Sequence, residues 1–122
     1  MRKSVGQASV ILDAPGKLGM NGMVYLPEQQ RYLMIGWYYP SGGAKIKDAG
    51  RETMWDFYQS PKPWGPWTKL SSHRFSPQGY YSPQVCPKFI REGGKSLFVF
   101  TAGDWNNPAV YRLTVVPITL GN

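Results

Sequence analysis

The chain has 122 residues, of which 42% are hydrophobic, 15% aromatic and 17% charged, with a net charge of +7. This composition excludes an intrinsically disordered chain, and the length fits one domain spanning residues 1–122. The basic residues are spread along the sequence, which favours a generally basic surface over a nucleic-acid-binding tail. A single cysteine, Cys86, excludes an intrachain disulfide.

Short strands joined by many turns are the expected elements, because 14 glycines and 11 prolines accompany the aromatic residues. The β-branched and aromatic runs between turn residues predict seven strands. In chain order they are Ala8–Asp13, Asn21–Leu26, Arg31–Tyr38, Glu52–Gln59, Gln84–Ile90, Ser96–Ala102 and Ala109–Ile118. The nearly continuous apolar runs at 32–38 and 97–103 predict strands that are packed on both faces.

A proline-rich corner separates the two halves of the chain. The run 61–67 reads Pro-Lys-Pro-Trp-Gly-Pro-Trp. Pro63 and Pro66 fix φ and lack backbone donors, and Gly65 permits a tight turn. This segment therefore marks a corner of an all-β unit.

Two similar units predict an internal repeat, one at about 18–70 and one at about 80–118. The run 31–37 aligns with 95–101, which places Arg31 opposite Lys95 in the alignment. Residues 22–26 correspond to 83–89, and residues 54–58 to 110–114. Each unit then has the strand order of a propeller blade.

These motifs carry a resemblance to a known family. The run Met-Val-Tyr-Leu-Pro at 23–27, the Pro-Trp-Gly-Pro-Trp corner and the run Pro-Gln-Val-Cys-Pro-Lys-Phe-Ile at 83–90 resemble five-bladed β-propellers. The relatives implied are family 43 glycoside hydrolases and related uncharacterised propeller domains, over roughly residues 18–118. The resemblance implies an all-β fold of about two antiparallel, propeller-like blades. A closed propeller needs about four to eight blades, so a fragment, a ring completed by oligomerisation and a sandwich all stay open.

Glycoside hydrolysis needs two carboxylates that face each other across the sugar. The resemblance places the catalytic acid just before a Gly-Pro, where this chain has Tyr81-Ser82-Pro83, and the strand Asn21–Leu26 lacks the expected Asp. Enzymatic activity is therefore not expected. Asp56 is the one acid retained as a catalytic candidate, because apolar residues surround it; it is expected to pair with Arg112 or to face solvent.

Aromatic residues outnumber what one small core needs, and several fall in loops. Sugars stack on such rings while amides take their hydroxyls, so the loop residues are the ligand-binding candidates. They are Tyr38, Tyr39, Tyr80, Tyr81 and Trp105, with Asn106, Asn107 and Gln78 as polar partners. Trp55, Trp64 and Trp67 are expected in the core between blades, or near the seams of a dimer or trimer.

The sequence thus predicts a non-catalytic ligand-binding module, with carbohydrate as its ligand. A hydrolase-like fragment or assembling hydrolase, and a structural or interaction protein, are the alternatives. No cofactor or metal is expected, since the lone His73 offers no ligand cluster. A nucleic-acid partner is not expected and ranks only third among the hypotheses, a homo-oligomer is expected, and no membrane span is seen. A complete chain would be cytoplasmic, whereas a fragment would leave the location open.

Overall fold

The computed structural model describes residues 9–19, 22–40, 52–75, 82–103 and 111–120, and these form an all-β structure of two antiparallel sheets. The described part holds no α-helix, only three 3-10 turns at Pro27–Gln29, Pro87–Phe89 and Glu92–Gly94. No helix in these ranges is long and apolar enough to cross a membrane. The all-β prediction is confirmed.

The larger sheet has four strands in simple meander order. They are β1 (Met23–Leu26), β2 (Arg31–Tyr38), β3 (Thr53–Ser60) and β4 (Thr68–Phe75). The smaller sheet has three strands in the order β5 (Gln84–Val85), β6 (Ser96–Thr101) and β7 (Thr114–Thr119). Sequential antiparallel pairing needs only local connections, and the turn-rich sequence supplies them.

Strand β2 matches its predicted bounds, and the predicted burial on both faces is confirmed by four consecutive buried residues, 33–36. Strand β3 is displaced by one residue at both ends from its predicted bounds, and β6 ends one residue earlier than predicted. The prediction that β6 is also buried on both faces is wrong. Its burial alternates, with Leu97 and Val99 in the core and Phe98 exposed, because only one face of the smaller sheet packs against the larger one.

Four strand predictions were too long or wrong. Strand β1 begins at Met23, whereas Asn21–Leu26 was predicted, and the described Gly22 is not part of it. The described residues 9–13 of the predicted strand Ala8–Asp13 are irregular. The strand predicted to end at Ile90 stops at Val85, because Pro87 cannot donate to a ladder and instead begins a 3-10 turn. At the C-terminus, residues 111–113 precede the strand, which begins only at Thr114.

Strand β4 was not predicted at all. Its sequence, Thr-Lys-Leu-Ser-Ser-His-Arg-Phe, contains one aliphatic and one phenyl side chain, and its alternation is broken by a register shift opposite Phe57 and Tyr58. An edge strand can be this polar because its outer side faces solvent. Pairing with β3 over Thr53–Gln59 fixes it in place.

One hydrophobic core joins the two sheets. The larger sheet contributes Leu26, Leu33, Ile35, Trp55 and Phe57, and the smaller sheet contributes Leu97, Val99, Ile118 and Leu120. These residues recur at every second position along their strands, as one face of a pleated sheet requires. The shared cluster therefore holds the sheets face to face.

The three tryptophans expected in the core have different environments. Trp55 is 0% exposed and packs against Phe57 and Phe75, so the core prediction is confirmed for Trp55, and its placement at a seam between chains is wrong. Trp64 is 65% exposed in the proline-rich corner, so its core prediction is wrong. Trp67 is half-buried. The corner exposes Trp64 because its three prolines hold the chain outside the sheet.

Replacing Trp55 with Ala is expected to lower the free energy of unfolding by about 3–5 kcal/mol, because it leaves a large cavity between the sheets. Urea denaturation followed by circular dichroism measures the loss. Trp64→Ala is the matched control and should cost less than about 1 kcal/mol. Equal losses in the two variants would contradict the described core.

Candidate ligand-binding site

The face of the larger sheet that points away from the core carries mixed aromatic and charged side chains. Strand pairing sets Tyr38, Met54 and Arg74 in one row, and Gly36, Asp56 and Ser72 in the next. Directly paired residues of neighbouring strands share a face of the sheet. The side chains at these positions therefore meet on one surface, at the end of the sheet where β2 and β4 terminate.

Asp56 lies at the centre of this surface and is 0% exposed. The Ser72 hydroxyl donates to Asp56 Oδ1 at 2.6 Å, and Lys69 Nζ forms an ion pair with Asp56 Oδ2 at 3.0 Å. A buried carboxylate needs such a cation and donor to offset its lost hydration. Both oxygens are thus engaged, and neither predicted environment, pairing with Arg112 or facing solvent, is found.

A β-bulge brings Lys69 to Asp56. Between Phe57 and Tyr58 the register of β3 and β4 shifts, so that Tyr58 pairs with Lys69 instead of Leu70. Beyond the extra residue, each side chain of β4 lies on the opposite face of the sheet from the one that regular pairing would give it. Leu70 consequently packs against the core, and Lys69 reaches Asp56 on the other face.

The ionisation of Tyr58 and Lys69 reflects this arrangement. Burial raises the pKa of the Tyr58 phenol above its usual value, and the nearby Asp56 charge adds to the rise. The hydrogen bond to Asp56 raises the pKa of the Lys69 ammonium, whose side chain is 46% exposed. Both groups therefore stay protonated at neutral pH, so Tyr58 is neutral and Lys69 is a cation.

Tyr38 is the predicted ligand-binding residue that the structure brings to this surface. Its ring is partly exposed at the end of β2, and Lys17 Nζ lies 5.9 Å from the ring centroid. This distance allows a cation–π contact. Lys17 is positioned by the turn in which its amide donates to the Ala14 carbonyl.

Gly36 allows the segment around Lys17 to approach the sheet. A Cβ atom at this position would lie 3.1 Å from Leu18 Cδ2 and 3.3 Å from the Lys17 carbonyl oxygen. The Gly19 amide then donates to the Trp37 carbonyl at 2.9 Å, which ties the segment to β2. The absence of a Cβ at Gly36 therefore sets how closely Lys17 approaches the surface.

Of the other predicted site residues, only Tyr39 lies within the part of the chain that the structure describes. Tyr39 is half-buried, and its ring packs edge-on against Trp37 at 5.6 Å between centroids. Six further candidates lie outside the described residues: Gln78, Tyr80, Tyr81, Trp105, Asn106 and Asn107.

Four charged or polar residues of the surface were missed by sequence reasoning: Lys17, Lys69, Ser72 and Arg74. Arg74 donates to Glu52 Oε2 at 2.8 Å, which holds its guanidinium near the Tyr38 end of the sheet. Ser72 and Arg74 are two positions apart, a spacing that places two side chains on the same face of a strand. This spacing is informative only once β4 is known to be a strand. We call Lys17, Tyr38, Asp56, Lys69, Ser72 and Arg74 together the Tyr38 surface.

The described residues contain no group of three or more His, Cys, Asp or Glu side chains that could hold a metal ion. Comparison with protein-family models, curated proteins and solved structures found no match. The arguments about function therefore rest on the chain's own residues.

Loss of Lys69 should destabilise the protein more than loss of the Asp56 charge. Lys69→Met leaves the buried carboxylate without its cation, and we expect it to lower the free energy of unfolding by about 2 kcal/mol, less than for a fully buried pair because Lys69 is half exposed. Asp56→Asn leaves an ammonium that can turn to solvent, and should cost about 1 kcal/mol. Urea denaturation at pH 7 measures both.

The pH dependence supplies a second readout for the same variants. Because the folded state raises the pKa of Tyr58 and Lys69 above 10.0 and 10.5, their stabilisation is complete below about pH 10 and is lost as pH rises through the folded values. Asp56→Asn should weaken this alkaline loss. An unchanged alkaline profile, or a larger loss for Asp56→Asn than for Lys69→Met, would argue against the pair.

Proposed function

We propose that this protein is a non-catalytic ligand-binding module, that its ligand is a carbohydrate, and that the Tyr38 surface is part of the binding site. The observation that carries the proposal is the partly exposed Tyr38 ring with the Lys17 ammonium at 5.9 Å. A fixed ring beside charged hydrogen-bonding groups suits a ligand that has both an apolar face and many hydroxyls.

The surrounding groups match the needs of a sugar. A sugar ring can place its C–H face on Tyr38, while Lys69 and Arg74 donate to hydroxyl oxygens and Glu52 accepts from hydroxyl protons. Lys69 and Arg74 are already oriented by Asp56 and Glu52, so less side-chain entropy is lost on binding. Asp56 is buried and Met54 half-buried beneath them, which supports a rigid floor.

The geometry of Asp56 supports binding over hydrolysis. Ser72 and Lys69 engage its two oxygens, and the side chain has no exposed surface on which a sugar oxygen or water could lie. A general acid or base must reach the proton that it transfers. Asp56 serves in this proposal to position Lys69 and Ser72.

A propeller-like arrangement of blades is part of the same proposal. Each sheet starts with a short strand, continues through a 3-10 turn that begins at a proline, Pro27 or Pro87, and then enters a longer strand. The four-stranded meander also has the strand number of one blade. This common order supports two related units, at about 18–70 and 80–118.

Exposed apolar side chains support self-association. On the outer face of the smaller sheet Phe98 and Val115 are exposed, with Phe89 beside Phe98 at 6.4 Å between ring centroids. We expect a dimer or trimer in which a second copy covers this face. Light scattering on a sizing column measures the native mass. Phe98→Lys should give a monomer, Trp64→Lys should not, and a monomeric wild type would contradict self-association.

Tyr38→Ala should weaken carbohydrate binding at least about tenfold, because it removes the stacking surface. Saturation-transfer difference NMR against a panel of mono- and oligosaccharides identifies the sugar, and titration of that sugar gives the affinity. Tyr25→Ala is the matched control, since Tyr25 is exposed at the opposite end of the sheet and should leave the affinity unchanged. Absence of binding to every sugar, or equal losses in both variants, would contradict the proposal.

A further inference from the structure

A second candidate site lies at the junction of the two sheets, away from the Tyr38 surface. It is an open cleft of about 190 Å³. Its lining comes from both sheets and the adjoining turns, and it includes Arg31, Gln59, Lys95 and several leucines. We call it the junction cleft.

The junction cleft has an apolar floor. Leu26, Leu33 and Leu120 are buried members of the core, and Leu70 packs partly against it. These four leucines line the cleft, where a compact apolar ligand could lose its hydration. A bare inorganic ion would leave the four leucines uncovered, so the cleft does not suit such an ion.

The polar lining is cationic. Arg31 and Lys95 are the charged residues of the cleft, and no acidic side chain lines it among the described residues. Arg31 Nη1 donates to Gln59 Oε1 at 2.6 Å, which orients the guanidinium and leaves its other N–H groups for a ligand. A carboxylate suits this lining because it can accept from a guanidinium fork and from an ammonium together.

Backbone hydrogen bonds fix the main chain of Lys95 beside the cleft. The Lys95 carbonyl accepts from the Leu120 amide at 2.7 Å, and the Lys95 amide donates to the Glu92 carbonyl at 3.3 Å. Arg31 starts β2 and Lys95 immediately precedes β6, so each sheet supplies one cation from the start of its second strand. These are the two positions that the repeat alignment pairs.

The adjoining groove limits the charge and length of a ligand. It is lined by Tyr25, Pro27, Glu28, Pro87 and Ile90, among others, and meets the cleft at Leu26 and Gly94. Glu28 would repel an anionic chain that extended from the cleft into this groove. A small monoanion confined to the cleft avoids that repulsion.

We propose that the junction cleft binds a small organic monocarboxylate with a compact apolar body. The carboxylate lies between Arg31 and Lys95, and the body covers the leucine floor. The small volume of the cleft, about 190 Å³, suits a single ring or a short alkyl chain. Since both sheets line the cleft, the bound acid also stabilises their packing.

Benzoate and hexanoate are the probes, titrated by calorimetry and followed by thermal unfolding. We expect saturable binding with a Kd of about 1 mM or tighter, and a rise in Tm with ligand concentration. Benzyl alcohol keeps the apolar body but lacks the charge, and inorganic phosphate keeps the charge but lacks the body. Both should bind at least about tenfold more weakly than benzoate.

Two variants and a matched control separate the cleft from general charge effects. Arg31→Gln/Lys95→Gln should weaken benzoate binding at least about tenfold, whereas Lys62→Gln/Lys88→Gln removes the same charge elsewhere and should not. Leu70→Phe keeps the charge and fills the floor, and should also abolish binding. Absence of saturable benzoate binding, equal binding of benzyl alcohol or phosphate, or equal losses in the two double variants would overturn the proposal.

Discussion

The burial of strand β3 on both of its faces is the constraint on which the rest of this structure depends. Trp55 and Phe57 are 0% exposed on the face that meets the smaller sheet, where Leu97 and Val99 complete the core. Large aromatic side chains contribute much of the apolar area that a small domain can bury. The smaller sheet, with only three strands, depends on this contact because few strands with one covered face are marginal alone.

The polar cluster follows from the same constraint. Side chains alternate along a strand, so placing Trp55 and Phe57 in the core turns Asp56 and Tyr58 to the opposite face. That face is also covered near Asp56, partly by the segment around Lys17 that approaches Gly36. A buried carboxylate is stable there only with partners, and the bulge in β4 supplies Lys69. Core packing and the candidate site are thus linked through adjacent residues of one strand.

The sequence shows much of the fold but little of this site, for a physical reason. The boundaries of β2 could be predicted because its apolar run ends at turn residues, which is local information. Strand β4 could not, because its bulge breaks the alternation and its polar residues are tolerated only at a sheet edge. Asp56 pairs with Lys69 because of the register between β3 and β4 and the one inserted residue in β4. Neither feature can be read from the sequence near Asp56. Tyr38 was a candidate because it was one of the aromatic residues assigned to loops, and the structure places it as the last residue of β2.

The two proposed sites lie at opposite ends of β2, which has consequences for how they act. Tyr38 is the last residue of this strand and Arg31 the first, and eight residues of strand span about 23 Å. The two sites share no side chain, and Lys69 and Leu70, which are neighbours in β4, lie on opposite faces of the sheet. Coupling between them would need an element with two discrete arrangements, and β2 is instead buried at its centre and paired on both sides. Carbohydrate at one end and carboxylate at the other are thus expected to bind independently, each stabilising the sheet contacts nearest to it.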